Sequence, residues 1–139
     1  MSTRRIAQRI ILALLQLLVG VAALAGGGSL LAAPDGGALG LELAALDGSP
    51  FVNYWIPGLA LFVIIGLGSI FGAGLSALGR RRAGDIATAL GVLLMSWIAL
   101  QVAWIGAVHW LQPLFFVLGA VEAGLGWGVR AASRAGARP

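Results

Sequence analysis

Glu122 is the residue whose type and position most clearly point to chemistry. It lies near the middle of an apolar stretch. An ionised carboxylate costs about 2.5 kcal/mol or more at membrane depth, so such residues usually face protein or water and serve a function. Gly119 and Gly126 share its helical face and allow a neighbouring helix to approach closely. The pattern indicates either a protonatable or cation-binding site, or a neutral carboxylic acid that fixes helix packing. We favour the neutral acid, because no second acid is expected at membrane depth to complete a relay.

Gln16 is the predicted hydrogen-bonding partner of Glu122. It lies about two helical turns after Arg9, and Glu122 lies about two turns before Arg130. Both side chains are therefore expected roughly 10–12 Å inside the boundary that the arginines mark. Small residues flank Gln16 on its own face, which again favours a close helix contact. The alternative is that Gln16 faces a neighbouring copy of the chain.

A third polar side chain, Gln101, lies between two indoles on one helical face. Trp97 and Trp104 are four residues before it and three after it. An amide between two indoles could line a pocket for an amphipathic ligand. More often, side chains in such a stripe pack in the protein core and the amide is hydrogen-bonded there, and we favour that interpretation.

Small residues recur every four positions at Gly68, Gly72 and Ser76. Together they form a small-xxx-small face, which lets helix backbones approach closely. Close packing within a bundle is the favoured interpretation for this face, and self-association of the chain is the alternative.

The sequence offers little other chemistry. There is no cysteine, and a site built on His109 would need ligands from another subunit. No nucleophile–base pair suggests an enzyme, and no glycine run follows a strand as a phosphate loop requires. Asp85 is predicted to pair with the arginines of the turn at 80–82, a structural role. We therefore predict no enzymatic activity, no metal and no cofactor.

The composition indicates which secondary-structure elements hold the polar residues described above. The chain is 60% hydrophobic and 10% charged, with a mean hydropathy of +0.98, so lipid must solvate most of it. Four apolar runs are long enough to span a bilayer. They lie at 10–33, 54–78, 83–108 and 111–129, joined by an outer loop at 34–53 and a turn at 79–82.

The sequence predicts one membrane domain whose partner is the lipid bilayer. Nucleic acid is excluded despite the net charge of +4, because the few arginines lie at the ends of apolar runs.

The arginines set the predicted topology. All nine basic residues are arginines and fall in three clusters separated by pairs of apolar runs. The positive-inside rule places such clusters in the cytoplasm. The sequence thus predicts an all-α membrane protein, a four-transmembrane-helix bundle with both termini cytoplasmic. The bias toward Ala, Gly and Arg suggests a bacterial cytoplasmic membrane. The clusters are Arg4, Arg5 and Arg9; Arg80, Arg81 and Arg82; Arg130, Arg134 and Arg138.

Two alternatives concern the first run and the outer loop. Ala23-Leu24-Ala25 resembles a signal-peptidase site, but the apolar run continues to Ala33, which favours a retained helix. The outer loop carries Asp35, Glu42 and Asp47, and we expect it to lie at the outer surface. A re-entrant segment is the alternative there.

Two stretches resemble a known group of proteins. One runs from Leu46 to Phe51 and continues through Tyr54 and Ile56-Pro57-Gly58. The other joins Gln101-Val102-Ala103 with Trp110-Leu111-Gln112-Pro113 and Phe116-Val117-Leu118-Gly119. Together they resemble a group of uncharacterised small four-helix membrane proteins of bacteria, often actinobacteria. The resemblance implies four membrane spans and does not imply any activity.

These patterns predict a non-enzymatic membrane protein that acts through helix–helix contacts. It would be an accessory, regulatory or structural subunit, partnered by copies of itself or by another membrane protein. The alternative is a small transporter or channel in which Glu122 handles a proton or a cation.

Overall fold

The computed structural model describes residues 2–138 and is a bundle of four long helices. Each helix is long and apolar enough to cross a membrane. No strand occurs among the described residues. The predicted fold class, an all-α four-helix membrane bundle, is confirmed. The helices are α1 (Thr3–Ala32), α2 (Trp55–Ala77), α3 (Ala83–Ile105) and α4 (Leu111–Gly136).

Three helix ends differ by three residues or more from the predicted ranges. α1 begins at Thr3 rather than at 10. α3 stops at Ile105 rather than at 108, because Gly106 adopts a φ of 79° that ends the helix. α4 continues well beyond 129, to Gly136, and carries Arg130 and Arg134. Hydropathy locates the apolar part of a helix only, and arginine is itself a good helix former.

The turn between α2 and α3 is fixed by Gly79. Its φ of 64° lets the Arg80 N–H donate to Leu75 O at 2.9 Å, which closes the end of the helix. Arg9 of α1 completes this end, because its guanidinium donates to Ser76 O at 3.2 Å and to Ala77 O at 3.0 Å. The arginine therefore bonds carbonyls of the last helical turn, where regular intrahelical donors end. We call the side of the bundle with this turn and both chain termini the arginine end.

Glycines set the helix spacing. The helices form two antiparallel pairs, α1 with α2 and α3 with α4. The two pairs contact each other through α1 and α4 and through α2 and α3. A Cβ on Gly27 of α1 would lie 2.6 Å from Phe62 N, and one on Gly91 of α3 would lie 2.5 Å from Ala123 N. Since both neighbours are backbone atoms, each helix pair approaches as closely as only glycine permits.

The loop at 34–53 folds over the opposite side of the bundle, which we call the loop end. It contains two short 3-10 helices, Gly37–Leu39 and Leu43–Leu46. The Tyr54 hydroxyl donates to Glu42 O at 2.8 Å, and the Tyr54 N–H donates to Pro34 O at 2.8 Å. Leu30, Leu46 and Tyr54 form a small buried cluster beneath it. The loop is thus attached to the helices as a cover.

Candidate functional site

Three polar side chains from three helices meet in the core nearer the arginine end. They are Gln16 of α1, Ser76 of α2 and Glu122 of α4, and we call them the polar layer. The Ser76 hydroxyl donates to Gln16 Oε1 at 2.7 Å. The carboxyl of Glu122 interacts with the Gln16 side chain. The two residues that the sequence pairs by depth therefore lie together, and Ser76 joins them from the small-residue face of α2.

The polar layer is sealed and incompletely hydrogen-bonded. Gln16, Ser76 and Glu122 each have a relative exposure of 0%. Neither carboxyl oxygen of Glu122 nor Gln16 Nε2 makes a hydrogen bond of standard geometry to a described residue. Leu12 and Val19, one turn away on either side of Gln16, are also fully buried. The layer has room for a proton, whereas a hydrated cation would require the helices to move.

Glycines surround the polar layer as the sequence suggests. A Cβ on Gly72 would lie 2.7 Å from Gln16 Nε2, so the amide rests on the bare α2 backbone. A Cβ on Gly126 would lie 2.6 Å from Thr88 N, and one on Gly119 would lie 2.9 Å from Gly91 O. Gly68 lies against Leu90 of α3. All these small residues are used inside the bundle.

A cavity of about 340 Å³ occupies the loop end. Its volume falls in the range of small-molecule sites, and such sites are mostly apolar. Val19, Ile65 and Leu94 belong to the buried core that forms its floor. The loop contributes Leu39, Leu41, Leu46 and Phe51, and the Phe51 ring meets Trp104 edge-on at 5.2 Å. The polar layer lies beyond the floor and does not line the cavity.

A π-helical segment of α2 forms one wall of the cavity. It spans Leu61–Leu67, and Leu61 and Ile65 are lining residues. π-Helical turns are rare, and they occur frequently at functional sites because they widen the backbone and redirect side chains. No pattern in the sequence predicts this segment.

The cavity holds few polar groups that are free to bind a ligand. Trp97 Nε1 is a buried N–H donor without an acceptor among the described residues. Gln101 also lines the cavity together with Trp97 and Trp104, whereas core packing was the interpretation favoured from the sequence. By contrast, the Tyr54 hydroxyl is bonded to the loop, and His109 Nδ1 accepts from Leu111 N. The Trp97 indole is therefore an unpaired donor that belongs to a lining residue of the cavity.

Gln112 was not singled out by sequence reasoning. Its Oε1 accepts from Val108 N at 2.9 Å, and its Nε2 donates to Gly106 O at 3.3 Å. The buried amide thus holds the turn between α3 and α4. The one sequence feature that could have indicated this role is the position of the Gln112 amide just after the turn.

The expected partner of Asp85 was wrong. Asp85 forms an ion pair with Arg130 Nε at 3.0 Å rather than with the arginines at 80–82. The reason is the close α3–α4 contact, since a Cβ on Gly84 would lie 2.5 Å from Arg130 N. Arg130 also lies 5.1 Å from the Trp127 ring centroid, a cation–π distance.

Among the described residues, no group of three or more His, Cys, Asp and Glu side chains could hold a metal ion. Comparisons with known proteins gave no match: no family model, curated protein or solved structure aligns significantly with the chain.

Proposed function

We propose that this protein is a non-enzymatic membrane protein that holds a neutral amphiphile in the cavity at the loop end. The observation that carries the proposal is a mostly apolar cavity whose lining includes Trp97, a residue with an unpaired, buried N–H. A buried donor without a partner costs about 1–3 kcal/mol, and a ligand acceptor would remove that cost.

The lining indicates the class of ligand. It contains no Asp, Glu or Arg, so an ionised head group would be buried without a counter-charge. Leu100, Val108 and Leu111 line the cavity and are also exposed, which gives a hydrocarbon chain access from the lipid side. The ligand we propose is a lipid-like molecule with an apolar chain and an uncharged acceptor such as an ester carbonyl.

Replacing Trp97 with Phe tests this proposal. Phe keeps the ring but removes the N–H, so affinity for a neutral diacyl lipid should fall about fivefold, the scale of one hydrogen bond. Native mass spectrometry of the protein released from micelles, titrated with diacylglycerol, measures the change. Trp127→Phe is the control, because Trp127 lies exposed near the arginine end. Equal affinity for Trp97→Phe and wild type would contradict the role of this indole.

We also propose that the arginine end faces the cytoplasm of a bacterial cell, which puts the cavity in the outer leaflet. The positive-inside rule supports this orientation. An accessory or structural role through helix contacts stays a prediction. The small-residue faces of α2 and α4 pack within the bundle, so a partner would have to bind the exposed apolar faces instead.

A second candidate function is proton handling by the polar layer. The unsatisfied oxygens of Glu122 and the unsatisfied Gln16 Nε2 favour it. A carboxyl that gains a proton becomes a hydrogen-bond donor, and this change needs no additional space. Glu122→Gln should fold normally, since an amide also supplies a donor and an acceptor. Glu122→Leu should lower the free energy of unfolding by about 1 kcal/mol, the scale of interhelical hydrogen bonds in membranes.

The two roles of Glu122 differ in reconstituted vesicles. If Glu122 carries protons, Glu122→Gln abolishes the proton flux that wild-type protein gives under an imposed pH gradient. If Glu122 only fixes packing, wild type and Glu122→Gln give the same flux as empty vesicles, and only Glu122→Leu is destabilised.

A further inference from the structure

A second, basic pocket of about 100 Å³ lies at the arginine end. It is formed by the first turns of α1, the turn between α2 and α3, and the last turns of α4. Its polar lining comprises Arg5, Gln8, Arg9, Arg80 and Ser133. Three arginines thus line one small pocket at the arginine end of the bundle.

The charges around this pocket are not balanced by the protein's own side chains. Asp35, Glu42 and Asp47 belong to the loop at the other end, and Glu122 is buried in the polar layer. Asp85 is the remaining acid, and it pairs with Arg130. Arg5 and Arg80 therefore have no carboxylate partner among residues 2–138.

Helix geometry adds to the positive potential. α3 begins at Ala83, which lines the pocket. Its first turn has no side-chain cap and carries Asp85, whose carboxylate is paired with Arg130. Unpaired N–H groups at the start of a long helix favour an anion. Arg9 is already engaged with the end of α2, so Arg5 and Arg80 are the side chains that would contact such an anion.

We infer that this pocket binds a phosphate group, supplied by the head of an anionic phospholipid in the adjoining leaflet. Basic pockets between membrane helices bind such head groups. Arginine suits this ligand because its planar fork pairs with two phosphate oxygens at once. The site is separate from the cavity at the loop end and takes a ligand of the opposite character, charged rather than neutral.

Lipid competition tests the inference. Protein in nanodiscs of phosphatidylcholine with a small fraction of phosphatidylglycerol is released for native mass spectrometry, and the retained lipids are counted. Wild type should retain phosphatidylglycerol preferentially. Each of Arg5→Gln and Arg80→Gln should reduce that preference about fivefold, and the double variant roughly 30-fold. Both side chains are exposed, so the fold should persist.

Arg81→Gln is the matched control, because Arg81 belongs to the same turn but does not line the pocket. An equal loss in Arg81→Gln, or an unchanged preference in the double variant, would overturn the site. Titration of detergent-solubilised protein with inorganic phosphate identifies the source. Binding that depends on Arg5 and Arg80 shows that free phosphate suffices, and its absence assigns the site to the lipid head group.

Discussion

Gly91→Ala should lower the free energy of unfolding by about 3 kcal/mol, the upper part of the range for overpacked cores. The added methyl would lie 2.5 Å from Ala123 N and from Gly119 O. Both atoms belong to the α4 backbone and cannot rotate away, so the two helices must separate. Separation would also loosen the contact that buries Glu122 between α4 and its neighbours.

Reversible unfolding of the protein in mixed micelles by added denaturing detergent, followed by circular dichroism, measures this loss. Gly124→Ala is the control on α4, because a Cβ there has nothing within 4 Å. Gly124→Ala should be neutral or slightly stabilising, since alanine favours helix. Equal stability of the two variants would mean that α3 and α4 are not packed through Gly91.

Gly26→Leu should weaken amphiphile binding by at least about tenfold, because its side chain takes space that the ligand needs. Gly26 lines the cavity, and a Cβ there meets Leu61 Cδ2 at an ordinary 3.5 Å. The variant can therefore fold while the cavity becomes smaller.

Gly28→Leu is the control on the same helix. A Cβ at Gly28 meets the Phe62 ring at 3.8 Å, and Gly28 does not line the cavity. Native mass spectrometry with diacylglycerol should show near wild-type binding for Gly28→Leu. Retained binding in Gly26→Leu would place the ligand elsewhere.

Several features of this molecule follow from local sequence. Runs of apolar residues determine the four helices, because only a helix satisfies its own backbone in lipid. The spacing of Gln16 from Arg9 and of Glu122 from Arg130 places the two side chains at one depth, and the structure brings them together. Flanking glycines indicated the faces of closest contact, because backbone approach requires the absence of a side chain.

Other features depend on how the helices pack, which no local pattern encodes. The cavity exists because the loop covers the helix ends, with Phe51 against Trp104. The Asp85–Arg130 pair follows from the α3–α4 contact rather than from proximity in sequence. The π-helical segment Leu61–Leu67 has an apolar sequence that suits an α-helix equally well.

Photolabelling tests most directly whether the cavity holds an amphiphile. A diacylglycerol carrying a diazirine at the end of one chain is added to the protein in nanodiscs, and labelled peptides are mapped after irradiation. The label should concentrate on cavity residues such as Val19, Ile98 and Phe115, and Gly26→Leu should remove it. Label confined to lipid-facing residues such as Phe71 and Val92, unchanged in Gly26→Leu, would contradict the proposed function.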